Sequence, residues 1–193
     1  MTESKKEASR VQPGSGILSG YTSNLTLQGL HNRLPDLTAQ LIFWPVVAIG
    51  TALDLWSKSA VFDWLEHRDN VSIINGFLQL TRALNNGAAF GLLPGRSYLL
   101  VAVSVAALIA IIAVFLFSRS QQRLVHIALG LFTAGVCGNL YDRIFNGGFV
   151  RDFIDVMYWP GRHWPAFNIA DSMLCVGVGL IIISSLRASK HPA

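Results

Sequence analysis

Charge is scarce in this sequence: Asp, Glu, Lys and Arg make up 13% of it, where a soluble globule carries about a quarter. That deficit excludes an ordinary solvated surface. Cysteine is sparse as well. Cys137 and Cys175 both fall inside apolar segments, without the spacing of a metal site or the density of a disulfide scaffold, and read as small core residues. With no cluster of His and Cys at ligand spacing, metal-dependent hydrolysis is not expected. The formal charge of +4 is scattered, with no basic stripe and no interleaved aromatics, which argues against a nucleic-acid partner. Nucleophilic catalysis also lacks its parts. His126 lies in an apolar block, His31, His67 and His191 in tails or connections, and His163, nearest the acids, reads as a lone surface residue.

What the sequence does have is apolar residues, 52% of 193, gathered into four blocks. They run from Leu37 to Trp56, interrupted by Pro45, from Ser97 to Ser118, from Leu124 to Tyr141, and from Trp164 to Leu186. Each is close to the ~20 residues that a helix needs to cross a bilayer core. The predicted fold is therefore a mainly α membrane protein of four transmembrane helices, one domain over residues 37–187. Residues 1–36 are polar, with Pro13 and Pro35 as breakers, and are expected to form a mobile cytoplasmic tail. Lys5, Lys6 and Arg10 stand too far from the first block for a cleavable signal peptide. Residues 188–193 are expected to be a second cytoplasmic tail.

The connections differ in kind. Arg119 to Arg123 is a short turn that makes blocks two and three an antiparallel hairpin. Residues 63–96 hold Val71 to Ile74 and Phe77 to Thr81 around Asn75-Gly76, a dipeptide suited to a two-residue hairpin turn, and predict a small β region on the membrane surface. Residues 144–163 read as a second surface loop, with Tyr158 and Trp159 suited to the headgroup level. Lys and Arg divide almost evenly between the two sides. The two arginines of the compact 119–123 turn, against long loops rich in aspartate, place both termini in the cytoplasm.

An ionised Asp near the centre of a spanning helix costs at least about 2.5–3.5 kcal/mol, so the aspartates are informative. Asp54, Asp142, Asp152, Asp155 and Asp171 all fall toward one side, the non-cytoplasmic one. Asn168 and Asp171 share a helical face, as do Asn139, Asp142 and Arg143, while Gly135 and Gly138 permit a neighbouring helix to come close. Asp142-Arg143 reads either as an ion pair ending a helix or as a pair facing substrate. Two carboxylates brought together cannot both ionise easily, so one keeps a proton; such a pair offers a base to activate water and an acid to protonate an amide leaving group. Asp171 on the last helix is one candidate for such a pair, while Asp152 and Asp155 in the loop before it read at this level as solvated carboxylates.

The motifs Asp54-Leu-Trp-Ser-Lys58, Asn85-Asn-Gly87-Ala-Ala-Phe90-Gly91, Gly138-Asn-Leu-Tyr-Asp142-Arg143, Val150-Arg-Asp152-Phe153 and Phe167-Asn168-Ile-Ala170-Asp171-Ser172, in that order, resemble bacterial lipoprotein signal peptidase, or signal peptidase II. The resemblance spans residues 40 to 187, although Leu55 stands where the family usually has Gln. It implies a cofactor-independent membrane aspartic endopeptidase of the bacterial inner membrane that cuts prolipoproteins before a diacylglyceryl-modified cysteine, acting as a monomer among membrane lipids. It further implies a catalytic dyad of Asp152, the loop acid that precedes the motif's Phe153, and Asp171, leaving Asp155 a solvated loop carboxylate, and a site ordered by Asn139, Asp142, Arg143, Asn168 and Ala170. Asn85 and Gly87 would hold substrate in the surface β region, and Asp54 with Lys58 would form a supporting pair. The alternatives are a small proton-coupled transporter or channel subunit, since membrane carboxylates commonly mark ion paths, and a non-catalytic assembly factor.

Overall fold

The first helix begins where a cap is available: the Asp36 carboxylate accepts the Ala39 N–H at 2.8 Å, satisfying one of the donors that a helix start leaves open. The computed structural model describes residues 35–68, 70–88, 92–117 and 122–190. Helix α1 spans Leu37–Trp64, α2 Ser97–Phe117, α3 Arg123–Phe145 and α4 Ile169–Lys190. All four are long and apolar enough to cross a membrane. The expected N-terminal tail lies outside the described residues apart from Pro35 and Asp36. So does most of the 119–123 turn.

Several helix limits differ from the apolar blocks, three of them for a clear physical reason. Helix α1 continues past Asp54 and Lys58 to Trp64 because those two charges are paired inside the bundle and do not need to leave it. Helix α3 likewise continues past Asp142 and Arg143, both of which find partners. Helix α4 starts five residues later than its block, because residues 164–168 are extended and bonded to a strand. It then runs to Lys190, three residues beyond the expected boundary at 187.

Helix α3 is the most enclosed of the four. At one end Phe43 of α1 stacks on Phe115 of α2, ring centroids 3.9 Å apart, beside Ala39 and Leu129. Toward the other end Ala134, Ala170 and Met173 meet. Apolar side chains gain little from leaving lipid, so close backbone approach decides such packing. A methyl group on Gly135 would sit 2.6 Å from the Ala170 carbonyl oxygen, and one on Gly138 would collide with Asp54 Oδ2. These two glycines let α4 and α1 close on α3.

Four strands, β1 (Val71–Ile74), β2 (Leu78–Asn85), β3 (Val150–Trp159) and β4 (Arg162–His163), form one antiparallel sheet in sequence order. The hairpin at 71–85 is present, but Ile74 pairs with Leu78, so Phe77 joins Asn75 and Gly76 in the connection. Gly76 has φ +72° while Asn75 does not have a positive φ, so the two-residue turn with both central residues left-handed is not formed. The segment 144–163, expected to be a separate loop, is mostly strand. Its run from Val150 to Trp159 is rich in β-branched and aromatic residues, and the buried aspartates inside it obscured the pattern. Joining β3 to β2 sets Asp152 opposite Ala83 and Val150 opposite Asn85.

Candidate active site

The start of α4 is built as a reciprocal cap. Asn168 Oδ1 accepts the Asp171 N–H at 3.0 Å, and Asp171 Oδ2 accepts the Asn168 N–H at 3.2 Å, the two-way arrangement of a capping box. Between them the Ala170 N–H donates to Asp54 Oδ1 of α1 at 2.8 Å. Phe167 is bonded through its backbone to Phe153 and Ile154 of β3, which brings Asn168 against Asp152.

The amide of Asn168 then links both acids. Its Nδ2 donates to Asp152 Oδ1 at 2.6 Å and to Asn139 Oδ1 at 3.1 Å. Asn139 Nδ2 in turn donates to Asp171 Oδ1 at 2.8 Å. The amide orientations are fixed by their other partners: Asn139 Oδ1 also accepts from Lys58 Nζ at 2.9 Å, and Asn168 Oδ1 is committed to the Asp171 N–H. Each acid is therefore presented with donors. From the sheet, Asn85 Nδ2 donates to Asp152 Oδ2 at 3.1 Å, a diagonal contact across the β2–β3 pair. Asn85 Oδ1 accepts the Gly87 N–H at 2.9 Å, and the Gly87 carbonyl accepts from Arg143 Nη2 at 3.0 Å.

Lys58 and Asp54, both fully buried, pair at 2.7 Å, with Asp142 3.6 Å from the same ammonium. Asp142 and Arg143 do not form the ion pair that their adjacency suggested. Asp142 is held instead by Arg151, whose Nη2 and Nε reach its two oxygens and whose backbone N–H donates to Oδ2 at 2.9 Å. Sequence reasoning missed Arg151; the available signal was its place between Val150 and Asp152 on an extended run. It also took Asp155 for a solvated group. Asp155 is buried and accepts from Gln79 Nε2 at 2.5 Å and pairs with His163 Nδ1 at 2.9 Å, so His163 is not a lone residue either.

All eleven residues singled out in the sequence thus fall in one connected cluster at one end of the bundle. Asp152 is 2% exposed, and its pKa rises from 3.8 to about 6. Burial is the main cause and the neighbouring Asp171 charge adds to it, while bonds from Asn85 and Asn168 and the Lys58 charge oppose both. Among the described residues no group of three or more His, Cys, Asp and Glu could hold a metal ion. A cavity of about 470 Å³ lined by Leu65, Arg68, Asn70 and Arg82 includes none of the site residues.

The family model described as Signal peptidase (SPase) II matches residues 46–187. A lipoprotein signal peptidase of Geobacter metallireducens is 39% identical over 153 residues, covering 78% of this chain and 93% of its own. One from Geobacter sulfurreducens is 40% identical over 155 residues, covering 79% and 96%. A bacterial membrane enzyme solved in meso at 2.3 Å superposes with a TM-score of 0.70 at 32% identity, over 83% of this chain and 95% of the other. A second, at 1.9 Å, gives 0.66 at 34% identity, over 80% and 96%.

Proposed function

This chain belongs to the signal peptidase II family, membrane proteases that remove signal peptides from prolipoproteins, and we propose that Asp152 and Asp171 carry out that hydrolysis as an aspartic dyad. The observation that carries this reading is the amide bridge: two carboxylates from different elements joined through Asn168 and Asn139. The site holds the carboxylates of Asp54, Asp142, Asp152 and Asp171 against the cations of Lys58, Arg143 and Arg151. One proton shared by the dyad makes the site as a whole neutral, the state in which a low-dielectric site is least costly.

In this state the ionised member takes a proton from water as the water oxygen bonds to the scissile carbonyl carbon. The protonated member supports the developing oxyanion and then protonates the amide nitrogen as the C–N bond breaks. Arg143 Nε, buried and without an acceptor among the described residues, is the donor we assign to a substrate carbonyl. The substrate is a prolipoprotein cut before its diacylglyceryl-modified cysteine, with the acyl chains left in the bilayer and the signal helix docked among the four helices. One chain supplies every residue, so the working unit is a monomer. It lies in the inner membrane with both termini cytoplasmic and the dyad on the opposite side.

Replacing Asp152 or Asp171 by Asn keeps the shape and removes the proton chemistry. Each variant is expected to leave a diacylglyceryl prolipoprotein unprocessed on a gel-shift assay, with at least about a hundredfold loss of rate. Full processing by a correctly inserted variant would remove that residue from the mechanism.

A further inference from the structure

Arg151 precedes Asp152 on β3 and turns to the Asp142 carboxylate, which is completely buried. Its Nη2 lies 2.7 Å from Asp142 Oδ1 and its Nε lies 3.2 and 3.3 Å from the two oxygens. Its Nη1 donates to Ser59 Oγ of α1 at 3.1 Å. One side chain therefore ties β3 to α1 and α3 directly beside the dyad. We infer that Arg151 is a positioning residue that sets the charge balance of the Asp152–Asp171 pair, by neutralising Asp142 so that Lys58 and Arg143 remain available to the rest of the site.

The other claims on each cation show why. Lys58 Nζ sits 2.7 Å from Asp54 and 2.9 Å from Asn139 Oδ1, but 3.6 Å from Asp142. Without the Arg151 guanidinium, the buried Asp142 charge keeps a backbone N–H donor but only that distant ammonium as an ion-pair partner, and an undercompensated buried charge draws its nearest partner strongly. Lys58 moving to Asp142 would leave Asn139 Oδ1, and Asn139 is the amide that holds Asp171. Arg143 is engaged with the Gly87 carbonyl and faces the dyad. The charged groups converging here are thus Asp54 and Lys58 from α1, Asp142 and Arg143 from α3, Arg151 and Asp152 from β3, and Asp171 from α4. Asp155 is occupied by His163, and Asp63, one turn beyond Ser59, is exposed to solvent.

This rests on the dyad reading, and the two are tested apart. The pH dependence of kcat/KM is measured with the full chain in proteoliposomes and a diacylglyceryl prolipoprotein, after cleavage by the parent and its loss in Asp152→Asn have been established. Failure at that first step is failure of the dyad reading. Arg151→Gln removes one positive charge, which raises the proton affinity of the pair, so both limbs of the profile move to higher pH by roughly 0.5–1 unit. Arg151→Lys keeps the charge and leaves the limbs in place while lowering the rate. The double variant Arg151→Gln with Asp142→Asn restores the net charge and returns the limbs toward their original position. A merely structural role lowers rate or thermal stability without moving the limbs. Limbs unmoved in Arg151→Gln overturn the inference. If that variant does not insert, a displaced profile in the folded double variant, or limbs shifted by the charge-preserving lysine, overturns it equally.

Discussion

At Asp152, a carboxylate sits where burial and a neighbouring charge both disfavour ionisation, and its pKa of about 6 against an ordinary 3.8 has a consequence for stability. A pKa raised by folding means that the folded state binds the proton more tightly than the unfolded one. The stabilisation is complete below about pH 3.8 and is lost as the pH rises through about 6, amounting to about 3 kcal/mol. Asp152→Asn has no such proton to lose. Its thermal midpoint should therefore rise relative to the parent as the pH goes from about 4 to about 7, a difference that scanning unfolding of the purified chain would show. A constant offset between the two across that range would mean that the Asp152 environment is not desolvated. Asn168 meets Asp171 and Lys58 meets Asp54 at separations of three and four residues, contacts that helical spacing can foretell. The pairing of Asp142 with Arg151 could not be foretold in that way, because it depends on where β3 lands against the end of α3.

Helix α4 shows how one element can serve both fold and chemistry. Asn168 is simultaneously the helix cap and the amide between the two acids, and these tasks can be separated. Serine also caps well but has no amide to reach Asp152. Asn168→Ser is expected to keep the cap, and with it more thermal stability than Asn168→Ala, while cleavage falls about a hundredfold. Asn168→Ala should lose both, with a stability cost of about 0.5–2 kcal/mol for the cap. Parent-like cleavage by Asn168→Ser would show that the amide bridge is not needed. The strand β3 was hidden in the sequence for the reason that makes it useful. It carries Asp152 and Asp155 at buried positions, and buried acids break the alternation by which a strand is recognised. The hairpin of β1 and β2 was legible from its residue types, although the connection took one residue more than the Asn75-Gly76 pair.

Across the whole molecule, the apolar blocks specify four spans, and chain order alone brings the ends bearing Asp54, Asp142 and Asp171 to one side. The acids do not trace a route through the bilayer, as a proton path would require, and α2 contributes no charged side chain. What chain order could not supply was the sheet linking residues 71–85 to 150–163, a long-range pairing whose register is set by backbone bonds. That pairing brings Asn85 and Asp152 together and lets the last helix close over them. The separation of the Asp152 and Asp171 carboxyl groups in the chain bound to a non-cleavable diacylglyceryl peptide tests the proposal most directly. Nearest oxygens within about 3–6 Å, with the scissile carbonyl against them, are expected. Carboxyl groups turned away from each other, or the carbonyl seated beyond reach of both, would contradict a shared proton and with it the aspartic mechanism.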